Sequence, residues 1–292
     1  MMRKFSIFTV IFTFIALILG NLVVATDSGD ACGTHWPLCN GSVIPDFTDY
    51  HVIIEYSHRM FTTMLGLVIL VNAIGALIKY RDSKAVRWLT YLSFGLLLFQ
   101  SMIGGLNVLL GTPPGFTTFD VTFSQLLLLT MVLLSYSLHR RETPLEPNQR
   151  KSVTMSYRAF TIGFIGYIFQ IILGAFFKHS AASSVVLRLP AQEYLIESPQ
   201  LANVIYSLHW VATVVVAVGA IWFLIYSSKL QYHLQLAWLY LISIILNAVV
   251  GVAIVVTKNV VVMSSLHMAV STTTMVIGGS ILGGYWFKLK KA

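Results

Sequence analysis

The sequence predicts an all-α integral membrane protein, with eight transmembrane helices forming two pseudo-symmetric four-helix bundles and both termini in the cytoplasm. Composition, segment length and the placing of basic residues carry this reading. Hydrophobic residues make up 57% of the 292-residue chain and charged residues only 10%. Soluble domains run at roughly 25% charged, and a soluble fold of this size has too little interior to hide so much apolar surface. The formal charge of +8 does not mark a nucleic-acid-binding protein. The basic residues lie at the ends of apolar stretches, where orientation in a membrane requires them.

Eight apolar segments are each long enough for the ~20 residues a helical span needs. They cover residues 5–25, 52–78, 88–110, 117–138, 157–177, 201–227, 234–256 and 260–287. The first follows Met1-Met2-Arg3-Lys4 and has the charge pattern of a signal peptide. It lacks a small-residue cleavage site, so it reads as a retained helix. Of the 19 Lys and Arg residues, 15 fall on one side of this arrangement, among them Arg3, Lys4, Arg81, Arg140, Arg150 and Lys290. The other side keeps only Arg59, Lys178, Arg188 and Lys258. The basic side is cytoplasmic, which puts the chain in the cell membrane as a multi-pass protein.

Both cysteines fall in the first outer loop, within Cys32-Gly-Thr-His-Trp-Pro-Leu-Cys39. That side is oxidising, so a Cys32–Cys39 disulfide is expected there, structural or redox-active. Two free thiols, or a metal site with His35, are the other readings.

The chain repeats itself, as multi-span membrane proteins often do. Leu19-Gly20 ends the first span as Leu173-Gly174 ends the fifth. Tyr56-Ser57-His58-Arg59 in the second span is matched by Tyr206-Ser207-Leu208-His209-Trp210 in the sixth. Gln100 and Gly104 in the third are matched by Asn247 and Gly251 in the seventh, at an offset of 147 residues. The same offset carries His267 onto Asp120. The predicted units are therefore an N-terminal half (1–138), a basic cytoplasmic linker (139–156) and a C-terminal half (157–292).

Ionisable side chains inside a bilayer are costly and are read as functional by default. His209 and His267 sit near the outer ends of two spans of one half, where they can grip a single haem iron from both sides. Glu55 and His58 are three residues apart and share a helix face, which pairs an acid or base with a metal ligand. The N-terminal half thus has one strong ligand, His58, and an oxygen donor, Asp120, where the other half has its second histidine. Plainer readings exist. A single membrane histidine is often only hydrogen-bonded, Glu55, His58 and Arg59 suit an interfacial ion cluster, and Asp120 suits a helix cap. His35, His51 and His179 lie in or beside outer loops, solvated or bonded to haem propionates. His139 and His233 read as ordinary interfacial residues.

With these residues in place, the chain resembles the haem A synthases over nearly its whole length. The resemblance rests on Gly20-Asn-Leu-Val-Val-Ala-Thr-Asp-Ser-Gly29 running into Ala31–Gly41, on Glu55-Tyr-Ser-His58-Arg59, and on His209 and His267. It implies oxidation of the methyl group on carbon 8 of haem O to the formyl group of haem A, by successive hydroxylations with water as oxygen source. It implies haem b as cofactor, on His209 and His267. It also implies a substrate haem on His58, Glu55 as catalytic carboxylate, and electrons leaving through haem b to a quinone or other membrane acceptor. Haem O synthase and terminal oxidase assembly are the implied partners.

Three departures stand out. Asp120 replaces the second N-terminal histidine, Trp210 follows His209 where the family usually has arginine, and the loop 178–200 has no second cysteine pair. The first leaves a five-coordinate or Asp-ligated substrate haem, or a lost activity. A b-type cytochrome passing electrons to or from quinone, and a non-catalytic haem carrier or assembly factor, are the competing functions.

Overall fold

The computed structural model describes residues 2–34, 38–138, 147–191, 193–258 and 260–289. It is all-helical: α1 (Met2–Ala25), α2 (Tyr50–Lys79), α3 (Lys84–Leu109), α4 (Thr117–Ser137), α5 (Pro147–His179), α6 (Ala182–Leu187), α7 (Pro199–Leu230), α8 (Leu234–Thr257) and α9 (Val260–Gly284), closed by a π-helical turn at Tyr285–Leu289. Eight of these helices are long and apolar enough to cross a membrane. Hydrocarbon supplies no partner for a free backbone group, so a spanning segment satisfies its own amides as a helix. The short α6 was not foreseen, and α5 begins ten residues before the apolar segment at 157, within the stretch predicted as linker. His35, His139 and the linker's first part lie outside the described residues.

Helix starts follow local chemistry. The Asp49 side chain accepts from His51 N–H at α2, Ser83 from Val86 N–H at α3, and Ser198 from Leu201 N–H at α7, where Pro199 opens the helix. Each satisfies an otherwise orphaned first-turn donor.

Polarity is distributed as a lipid solvent requires. Trp88, Ile78 and Val256 are about three-quarters exposed (75%, 74% and 74%), whereas Thr9, Thr13, Gln125 and Thr272 are buried. Several of the buried hydroxyls bond a carbonyl one turn back in their own helix, as Thr13 Oγ1 does to Thr9 O at 2.8 Å.

Two core clusters divide the packing. One gathers Ala16, Leu65, Ile69, Val86, Leu127 and Met131 from α1–α4. The other gathers residues of α5, α7, α8 and α9 around Tyr157, Phe160, Phe164, Phe223 and Tyr240. The clusters meet where α4 lies against α9, flanked by α1 on α9 and α5 on α4. At that crossing Gln125 Nε2 donates to Thr272 Oγ1 at 2.9 Å, and the two residues are 147 positions apart. This is the offset of the internal repeat.

Glycines of α9 allow the crossing. A Cβ at Gly278 would stand 2.1 Å from the Phe164 ring of α5, one at Gly279 would stand 2.9 Å from Leu129, and one at Gly283 would stand 2.7 Å from Tyr136 of α4. Gly278→Ala should therefore destabilise the protein by about 1–3 kcal/mol through overpacking. Gly95→Ala in α3, whose added Cβ meets nothing, should be neutral or stabilising by up to about 1 kcal/mol. Thermal unfolding in detergent, followed by tryptophan fluorescence, compares them. An unchanged melting temperature for Gly278→Ala would remove this account of how α9 packs on α5.

Candidate functional site

Glu55, His58, Asp120, His209 and His267 all lie towards the end of the helices that carries the disulfide loop. His58 and His209 lie early in α2 and α7, and Asp120 and His267 lie early in α4 and α9. Their glycine neighbours Gly20, Gly174 and Gly251 lie late in α1, α5 and α8.

Each of the three histidines is seated on a glycine of the adjacent helix. A Cβ at Gly174 would come within 2.8 Å of His209 Cε1, one at Gly20 within 3.0 Å of His58 Cε1, and one at Gly251 within 3.4 Å of His267 Cε1. The repeat had marked Gly20, Gly174, Gly104 and Gly251 as matching positions, and the structure supplies the reason for three of them. A side chain at Gly174 would have to push the His209 ring aside and one at Gly20 would crowd His58, whereas a methyl at Gly251 would only touch His267. At Gly104, the N-terminal counterpart of Gly251, an added Cβ meets nothing, because no histidine faces it.

In the C-terminal half, His209 and His267 line one cavity of about 210 Å³ bounded by α5, α6, α7, α8 and α9. The Nδ1–H of His267 donates to the Asn247 carbonyl at 3.1 Å. That bond fixes the ring and leaves the Nε2 lone pair free, the arrangement in which imidazole binds a metal. His209 Nδ1 is buried without a hydrogen-bond partner among the described residues. Gln170 Nε2 donates to Thr213 Oγ1 at 2.6 Å, and Thr213 Oγ1 to the His209 carbonyl at 2.9 Å. Tyr167 OH donates to the Ser271 carbonyl at 2.7 Å. Asn21 of α1 and Val121 of α4 also reach the wall, so the cavity touches the other half. Among the described residues no three His, Cys, Asp or Glu side chains cluster. Two imidazoles on one cavity suit an iron whose remaining positions a macrocycle supplies, and this donor set fits haem.

The N-terminal half is built differently. His58 Nδ1 is buried and unpartnered among the described residues, as in His209. Glu55 is buried (3% exposed). Its Oε2 accepts the Cys32 amide at 2.7 Å, and its Oε1 pairs with Arg59. Arg59 also donates to the Leu38 carbonyl at 2.9 Å and the Gly33 carbonyl at 3.1 Å. The loop they hold is closed by the Cys32–Cys39 disulfide, and both cysteines are fully buried. Ser28 Oγ bonds His51 Nδ1 at 2.9 Å, and Tyr56 OH donates to the Val43 carbonyl at 2.9 Å. The loop thus rests on α2. Sequence had grouped Glu55, His58 and Arg59, but the anchoring of the loop by the first and last has no signature in spacing.

Asp120 does not cap α4. The N-cap position is Phe116, without a side-chain cap bond. The carboxylate instead receives the Gln100 amide of α3, which also donates to the Asp120 carbonyl at 3.2 Å. His233 is more than an interfacial residue: its Nδ1 bonds Tyr157 OH at 2.6 Å, tying α5 to the start of α8. The His179 carbonyl accepts the Gly115 amide at 2.6 Å, joining the two halves through their loops.

Comparison with known proteins follows this geometry. The family described as "Cytochrome oxidase assembly protein" (COX15-CtaA) matches residues 3–277. The chain is similar to proteins named "Heme A synthase". With that of Exiguobacterium sibiricum it is 33% identical over 65% of this chain and 64% of the relative. With that of Halalkalibacterium halodurans it is 28% identical over 91% of each chain. With that of Alkalihalophilus pseudofirmus it is 28% identical over 94% of this chain and 97% of the relative. Matched across nearly its whole length and carrying eight membrane-length helices, the chain is a multi-pass plasma-membrane protein that belongs to the COX15-CtaA family.

Proposed function

We propose that this protein is a haem A synthase that oxidises the C8 methyl of haem O to the formyl of haem A, with water as oxygen source. The observation that carries the reading is the unequal pair of sites. One cavity is lined by two glycine-seated histidines, and the other site has a single seated histidine beside a buried, doubly anchored carboxylate. Relatives named for haem A synthesis support it across most of their length.

His209 and His267 would hold haem b, which when bound supplies a one-electron redox couple inside the membrane. Asn247 orients His267, and Gly174 limits how deep the His209 ring can lie. In the N-terminal half His58 would take the iron of the substrate haem. Glu55 is the catalytic carboxylate. A carboxylate has about four acceptor positions, and the Cys32 amide and Arg59 occupy two. The remaining capacity suits a water poised for attack, whose proton Glu55 takes as the carbon–oxygen bond forms. Each hydroxylation takes up one water and releases one electron pair and two protons. The second product, a geminal diol, loses water to give the formyl group. The electrons pass to a quinone or other membrane acceptor. Haem O synthase is the natural supplier of substrate and a terminal oxidase the natural consumer of product.

Replacing His209 by Ala should abolish the low-spin haem b spectrum of the purified protein. A full complement of low-spin haem in that variant would refute the axial pair. Glu55→Gln should leave that spectrum intact and lower haem A formation by about 10²–10⁴-fold, the usual span for a lost acid–base group. Pigment extraction from membranes supplied with haem O measures it. Normal haem A yield would remove the catalytic role. An unaltered chain that makes no haem A despite ample haem O would favour the cytochrome or carrier function.

Asp120 already accepts from Gln100, and an oxygen donor binds ferrous iron more weakly than imidazole. The substrate haem should therefore be mainly high-spin. Asp120→Ala should change turnover modestly. Asp120→His should shift the substrate haem towards low spin in optical and electron paramagnetic resonance spectra. An already low-spin substrate haem in the unaltered protein would overturn this.

A further inference from the structure

Among the described residues Lys178 is the one Lys or Arg of the C-terminal cavity wall, and no Asp or Glu lines that wall. A lysine near a helix end ordinarily extends its ammonium to water or headgroups. Lys178 faces the cavity instead, and its Nζ donates to Ser264 Oγ of α9 at 2.9 Å. One hydroxyl satisfies one of three ammonium donors. Neither ion pair among the described residues includes Lys178. A cation turned into a protein cavity without a counter-charge is costly, so its position calls for an anion.

Helix spacing says where that anion lies. Lys178 is four residues beyond Gly174, the seat of His209, and so lies on the same face of α5, one turn nearer the disulfide end. Ser264 is three residues before His267 and lies on the same face of α9, again one turn nearer that end. The Lys178–Ser264 pair therefore bridges α5 and α9 one turn beyond the level of the two imidazoles. A planar macrocycle centred at that level has its edge there. The N-terminal half has no such arrangement: its own cation, Arg59, directly follows His58 and is engaged by Glu55 and two loop carbonyls. In α7 the corresponding position is Trp210, also in the cavity wall.

We propose that Lys178, supported by Ser264, binds a propionate carboxylate of the tetrapyrrole held by His209 and His267. This rests on the bis-histidine reading of the cavity. The ligand chemistry is a carboxylate in a charge-assisted hydrogen bond, and the same ammonium could take a lipid phosphate. Haem loss to excess apomyoglobin tests it, using purified protein carrying protohaem or reloaded with its dimethyl ester. From the unaltered protein the diester should be lost about tenfold faster than the diacid, the usual scale for losing one charged hydrogen bond. Lys178→Met should lose protohaem at that faster rate and show no difference between the two forms. Lys178→Arg should retain protohaem like the unaltered protein. Equal loss of diacid and diester from the unaltered protein overturns the proposal and is the result a lipid phosphate on Lys178 would give. A Lys178→Met variant that loses both forms faster by the same factor also overturns it, since the lysine would then be only structural. If Lys178→Met does not fold, the diacid–diester comparison on the unaltered protein and on Lys178→Arg decides. A purified protein with no haem at all removes the bis-histidine reading itself.

Discussion

The candidate site depends on close steric contact between each imidazole and a glycine of the facing helix, tightest at Gly174 and Gly20. The rings of His58, His209 and His267 each lie against a glycine, at Gly20, Gly174 and Gly251. Packing at native density leaves no slack for the His209 ring and a methyl at Gly174, and little for His58 and a methyl at Gly20. These two glycines therefore limit how deep those rings can lie. The Asn247 carbonyl completes the arrangement for His267 by accepting a hydrogen bond from its Nδ1–H. Among the described residues His209 and His58 have a buried Nδ1 without such a partner, and each ring rests against its glycine.

The same use of small residues brings the halves together. Helices in lipid gain little from the hydrophobic effect between them and associate through close packing and polar contacts. Gly279 and Gly283 let α9 approach α4, and Gln125–Thr272 adds a hydrogen bond at that crossing. The wall residues Asn21 and Val121 of the C-terminal cavity come from α1 and α4. Packing between the halves therefore also shapes the cavity, and a loosened α4–α9 crossing would alter the cavity as well as the fold.

Much of this was legible in the sequence because the bilayer simplifies the code. Runs of apolar residues long enough to span have one solution, the helix, and all eight spans were placed from hydrophobicity within a few residues apart from the early start of α5. The histidines and Glu55 stood out because polar groups are rare in such runs. Side-chain direction was less legible. Spacing put Glu55 and His58 on one face, yet it is silent on the Cys32 amide that Glu55 accepts, because that amide belongs to a loop whose path depends on the disulfide and on Arg59. Gln100 was noted only as a repeat match to Asn247, and its bond to Asp120 joins residues of two helices. Lys178 was assigned to a loop side by charge counting, which cannot tell a lysine facing water from one facing a cavity. Such contacts depend on how helices rotate against their neighbours, and hydropathy leaves that rotation open.

The unequal use of a shared architecture is the feature that bears most on mechanism. In the C-terminal half the polar groups of the wall are spent on holding: Asn247 on His267, Thr213 on the His209 carbonyl, Lys178 on Ser264. In the N-terminal half the corresponding polarity is turned outward, to the loop over the site. Arg59 and Glu55 grip that loop from α2, and Asp120 is bonded to Gln100 and not aimed across at His58. A group gripped by two imidazoles leaves slowly, because both bonds must break before it moves. A group held by one imidazole, beside a loop tied to α2 by a few hydrogen bonds, has a lower barrier to entry and exit. On the proposed reading this is what the two halves need. The electron-transfer haem must stay, and the substrate haem must arrive, react beside Glu55 and depart, so losing the second histidine at position 120 weakens retention where retention is least useful.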